Sequence, residues 1–232
     1  LALVGCLDSG SSDSDEGGAT SFDPITYTGE GSTLATFTAS NQDDFVGLLP
    51  AIFEIEESIL DIEGGLYTAA GFSMEATSGN KTITGSCGGS VNFAFTSDED
   101  TGVYTETITA SNYCDKNVFD TEVGINGKLV ISGVYDGIDD KKSGYEFDDF
   151  SFKADAYETD FGLNGAIAYN YPMSGNVNAN IVNLTVVNRV ENKSGFLENF
   201  DREIGVNGPI SFDGTVHVKD KGKATLTTTT NI

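Results

Sequence analysis

The sequence predicts a mainly β protein: a meander of long antiparallel strands curled into a strongly bent sheet or partial barrel, with one N-terminal helix packed on it. Three observations predict it. From Leu66 onward, apolar and Thr residues recur at alternate positions between Gly-, Asn- and Asp-rich turns, the signature of half-buried strands. One earlier segment alone shows a period of three and four. Glycines and parity slips also fall inside the strand patterns, which marks bulges, and a bulged sheet curls.

The chain opens on Leu1-Ala2-Leu3-Val4-Gly5-Cys6, an apolar run closing on a small residue and a cysteine. That is the pattern lipoprotein-processing enzymes read, so residues 1–5 are expected to be the end of a signal peptide and Cys6 a lipidated N-terminus. Two or more acyl chains, at about 0.8 kcal/mol per buried methylene, anchor a protein stably. Leu7, in place of Asp after the cysteine, favours the outer membrane by analogy with enteric bacteria. Residues 6–20 read as a flexible acidic tether, because Asp8 to Gly18 holds no apolar residue and cannot fold alone. Without an initiator Met or a basic leading segment, the sequence is expected to be a fragment of a precursor. Residues 21–232 are expected to form a single β-rich domain, and no run in them approaches the roughly 20 apolar residues of a membrane span.

Residues 23–39 alternate imperfectly and read as one or two strands. Phe45, Leu48, Leu49, Ile52, Phe53, Ile59 and Leu60 then predict a helix over Gln42 to Ile62, bent or broken around Pro50 and closed by Gly64-Gly65. Its polar side is acidic, so the stripe is expected to plug a sheet rather than lie on a membrane. Ser97-Asp98-Glu99-Asp100-Thr101-Gly102 marks a hairpin between Cys87 and Cys114. With Cys6 set aside, those two cysteines are an even pair in an oxidising compartment, and a disulfide stapling the hairpin's open ends is expected.

A tetrapeptide recurs at intervals of roughly 40 residues, long enough for a strand pair in each unit: Gly124-Ile125-Asn126-Gly127, Gly162-Leu163-Asn164-Gly165 and Gly205-Val206-Asn207-Gly208. Asn-Gly is commonly a type I′ hairpin turn. Here Phe161, Leu163, Ile167, Tyr169 and Tyr171 keep one parity straight through Gly165, which favours an in-strand glycine and equivalent positions on successive strands. Between Tyr145 and Ala154 the parity slips from Tyr145 and Phe147 to Phe150 and Phe152, predicting a bulge near Asp148-Asp149, and Ile181 to Leu184 slips likewise. Ile210, Phe212, Val216 and Val218, then Ala224 and Leu226, complete the meander through the turn Lys219-Asp220-Lys221-Gly222.

The strand-then-helix opening over Leu34 to Leu60, the cysteine-bounded hairpin ending Ser111-Asn112-Tyr113-Cys114, the Asn-Gly strands and Thr227-Thr228-Thr229-Thr230 resemble uncharacterised β-rich, lipobox-bearing lipoproteins of marine and metal-reducing proteobacteria. The resemblance covers most of the chain and brings no activity with it. It implies that more sheet follows Ile232 and that the chain is truncated at both ends.

Charge narrows the function. With 36 acidic against 12 basic residues the net charge is −24, which disfavours nucleic acid, polyphosphate and anionic membrane faces. His217 is the only histidine and alternates within an apolar strand, so it is expected to be an outward polar residue rather than a catalytic base. Glycosidase chemistry needs two placed carboxylates and sugar-stacking rings, and Trp is absent. Hard cations take oxygen ligands, so calcium is the one cofactor the acidic turns admit, at Asp98, Glu99 and Asp100 or at Asp136, Asp139 and Asp140. Neither turn has EF-hand spacing.

The expected function is therefore binding without catalysis: a lipid-anchored envelope protein whose ligand is apolar or a protein partner. The surface expected to carry it pairs the helix residues Phe45, Leu48, Leu49, Ile52 and Phe53 with Leu163, Ile167 and Tyr169 of the sheet. A calcium-stabilised adhesion module is the first alternative, and an envelope enzyme the second.

Overall fold

A computed structural model of the chain describes residues 45, 48–72, 77–116, 122–135, 140–154, 159–170, 177–204 and 210–227. The presumed leader, Cys6, the tether and the strands expected over 23–39 lie outside them. A helix, α1 (Leu48–Ala70), precedes ten strands: β1 (Ser78–Thr84), β2 (Gly88–Ser97), β3 (Val103–Asp115), β4 (Val123–Tyr135), β5 (Asp140–Ala154), β6 (Thr159–Asn170), β7 (Val177–Asn188), β8 (Lys193–Ile204), β9 (Ile210–Val218) and β10 (Gly222–Thr227). All ten form one antiparallel sheet in chain order, a pure meander with no pairing between β1 and β10. The sheet is open rather than closed into a barrel, and α1 packs on one face.

The helix runs eight residues past its expected end at Ile62. Ile55, Ile59, Ile62, Leu66 and Ala70 continue the three-and-four spacing and are buried, so tertiary packing outweighs the roughly 1 kcal/mol that each of Gly64 and Gly65 costs inside a helix. Pro50 stands in the first turn of the described helix, where its missing N–H costs no intrahelical bond, and the residues just before Leu48 lie outside the description. Its stop is Gly71, whose φ of +65° closes the last turn by donating its N–H to the carbonyls of Tyr67 and Thr68.

A row of bulges crosses the sheet. Asn112, Asp149 and Asn183 have positive φ on β3, β5 and β7, while Gly127 and Gly165 do so on β4 and β6. The parity slips read at Asp148-Asp149 and at Ile181 to Leu184 fall on this row. So do the first two Gly-x-Asn-Gly copies, inside strands rather than at turns. The copies occupy alternate strands, not successive ones. An added Cβ at Gly127 would stand 2.0 Å from the Asp149 carbonyl oxygen, and at Gly165 2.1 Å from that of Asn183. Glycine is thus required on β4 and β6, while β3, β5 and β7 supply Asn or Asp, the side-chain-bearing residues that best tolerate a left-handed backbone. The third copy, Gly205 to Gly208, lies outside the described residues.

Cys87 and Cys114 are bridged, with Cα atoms 5.1 Å apart. The bond joins the open ends of the β2–β3 hairpin and stabilises the fold by about 3.5 kcal/mol on the chain-entropy account. His217 departs from expectation. It sits opposite in parity to Val216 and Val218 yet is only 5 % exposed, because Phe196 packs against its ring and Glu198 Oε2 lies 3.0 Å from its Nε2. A histidine in a strand can be buried on the outward face when a neighbouring strand offers a ring and a carboxylate.

Candidate ligand-binding cleft

Two rows of inward-facing residues build the floor of a cleft between α1 and the sheet. Strand register sets Tyr104, Gly133, Ser143 and Tyr169 side by side across β3 to β6, and next to them Glu106, Ile131, Tyr145 and Ile167. Gly133 and Ser143 are the small members, and Tyr104 lies over Gly133, where a Cβ would come 2.4 Å from its hydroxyl. Tyr104 fills the place beside Gly133, and the short Ser143 side chain leaves space next to it. What remains is a cleft of about 1020 Å³, bounded by Glu56, Leu60 and Glu63 of α1 and by the hairpin Ser97 to Gly102.

Six carboxylates line it, from Glu56, Glu63, Asp98, Glu99, Asp100 and Glu106, together with Tyr104, Tyr135, Tyr145 and Tyr169. Leu60 and Tyr135 are two of the four large apolar residues most exposed among those described. Tyr145 and Tyr169 meet edge to face with centroids 5.5 Å apart. At one end Tyr169 donates its hydroxyl to Glu56, whose carboxylate also receives Arg202 at 3.0 and 3.2 Å. Burial, with the Glu56 charge beside it, pushes the Tyr169 pKa up and keeps that proton in place.

At the other end Glu106 is 7 % exposed. Its Oε1 accepts the Tyr67 hydroxyl at 2.8 Å, its Oε2 is buried, and Glu63 shares a side-chain hydrogen bond with the carboxyl. Burial raises its pKa, against pulls from Tyr67 and Glu63 that lower it.

The expected site residues divide. Tyr169 lines the cleft; Leu163 and Ile167 are 1–2 % exposed and belong to the core, as does Phe45. Leu48, Leu49, Ile52 and Phe53 lie on the helix backbone, with side chains outside the description. Asp98, Glu99 and Asp100 do reach the cleft. Asp98, however, spends its Oδ1 on its own turn, accepting the N–H of Asp100 at 2.9 Å and of Thr101 at 3.2 Å, and these bonds hold its pKa down. Asp136 and Asp139 lie outside the described residues, and Asp140 begins β5 with its side chain undescribed. Among the described residues the one trio of potential metal ligands within 4.8 Å of each other is Cys87, Cys114 and Glu122, whose cysteines are spent on the disulfide. A calcium ion takes six to eight oxygens at about 2.3–2.6 Å, and no trio of carboxylates gathers within 4.8 Å among the described residues.

Sequence reasoning missed Glu56, Glu63 and Glu106. A signal existed for the last: Glu106 shares parity with Ile108 and Ala110, so it is an acid on the inward face. No family model, curated protein or solved structure matches the chain, so the cleft is read from its own chemistry.

Proposed function

We propose that this chain is a lipid-anchored binding protein of the bacterial cell envelope, held through Cys6 at the outer membrane, that takes a ligand in the cleft between α1 and the sheet without transforming it. The observation that carries the reading is the cleft itself. A helix whose stripe merely completed the core would leave no such space, whereas about 1020 Å³ stays open beside Leu60 and Ser143, a size ligand sites commonly have. Two of its carboxylates, Glu56 and Glu106, are engaged with tyrosine hydroxyls and Arg202 rather than with a nucleophile, which supports binding over catalysis. The acidic surface and the Ser/Gly/Asp tract after Cys6 suit a domain held clear of a bilayer.

Two measurements test this. Fused to a complete lipoprotein leader in a competent host, the protein is expected in the outer-membrane fraction, and Cys6→Ser is expected to release it; membrane-free wild type sinks the anchoring. Native mass spectrometry of detergent-free protein, with titration of an environment-sensitive amphiphilic dye, is expected to show saturable one-site binding. Its absence sinks the cleft as a binding site.

A further inference from the structure

The chemistry of the cleft specifies the charge of its guest. We propose that it takes an organic ammonium ligand, with the cationic head beside the Glu63 and Glu106 carboxylates that line the cleft and an apolar body against Tyr104, Tyr145 and Leu60. The inference rests on reading the cleft as a binding site and adds the ligand class.

Three alternatives fail on the same residues. An anion would enter a space lined by six carboxylates, in a chain of net charge −24. A neutral apolar guest would displace water from a lining of six carboxylates and return no opposite charge, which is costly. A bare divalent ion finds no trio of carboxylate oxygens gathered among the described residues. An alkylammonium meets each demand. Its charge offsets the carboxylates that line the cleft and is attracted to the faces of nearby tyrosine rings. Its chain covers Leu60, which is 59 % exposed. Burial raises the pKa of Glu106, so a cation in the cleft beside it also relieves the cost of ionising it.

The test is isothermal titration calorimetry of the full chain with octyltrimethylammonium, with 1-octanol as its neutral counterpart and with calcium chloride alone. Octyltrimethylammonium is expected to bind one site at least about tenfold more tightly than octanol. Glu106→Gln keeps the acceptor for Tyr67 and removes only the charge. It is expected to melt no lower than wild type, to weaken ammonium binding about tenfold and to leave octanol binding within about twofold. Tyr145→Leu, which spares Glu106, is expected to weaken the ammonium as well. Equal binding of octanol and ammonium, unaffected by Glu106→Gln, overturns the proposal and leaves the cleft a binding site. Failure of both ligands to bind overturns the cleft reading too. Calcium that binds saturably and displaces the ammonium overturns it in favour of a metal.

Discussion

Gly165→Ala is expected to destabilise the protein by about 3 kcal/mol or more, seen as a lower denaturant midpoint at unchanged slope. Two independent penalties act at this position. A φ of +127° is almost closed to residues bearing a Cβ, and the new methyl would stand 2.1 Å from the Asn183 carbonyl oxygen and 2.9 Å from the Leu184 Cα. Both obstacles are backbone, so no side chain can swing away; relief requires opening the β6–β7 ladder at the bulge. Gly64→Ala supplies a control of opposite sign. Gly64 lies inside α1 and a methyl there meets nothing within 4 Å, so the substitution should stabilise by up to about 1 kcal/mol. If Gly165→Ala unfolds together with the wild type, the bulge row is not part of the native sheet.

Glu56→Ala is expected to cost about 3 kcal/mol, because it strips the carboxylate from Arg202, whose side chain is 3 % exposed, and removes the acceptor of Tyr169. A buried guanidinium that loses this carboxylate retains its desolvation cost and gives up part of its Coulombic return. The cycle through Glu56→Leu, Arg202→Met and the double variant separates this penalty from the worth of the pair. Each single variant should be strongly destabilised and the double one should recover much of the loss. Simple additivity of the two single losses would show that Glu56 and Arg202 do not act as a pair.

The meander and its bulges were legible because they are local. Tyr145, Phe147, Phe150 and Phe152 carry the Asp149 bulge in their own spacing, and the hairpin before Cys114 is written in Asp98 to Gly102. The end of α1 was not legible from Gly64-Gly65, because those glycines are outbid by the burial of Leu66 and Ala70 beneath a sheet far along the chain. The cleft was hidden for the same reason. Its walls come from α1, one hairpin and four strands, and the small member of its lining, Ser143, looks in isolation like an ordinary strand residue. Acidic residues in an acidic chain read as surface charge unless their parity is checked one by one.

The strictly sequential order of the strands has a kinetic consequence. Every ladder joins neighbours in the chain, so each hairpin closes only a short loop, and the sheet can zip forward without waiting for distant segments. The helix is the exception: Glu56 meets Tyr169 across 113 residues and Arg202 across 146. A chain synthesised N-terminus first therefore presents α1 before the strands that receive it exist. Its docking is expected to be the last step of folding, so that Ile59→Val should speed unfolding while leaving the refolding rate nearly unchanged.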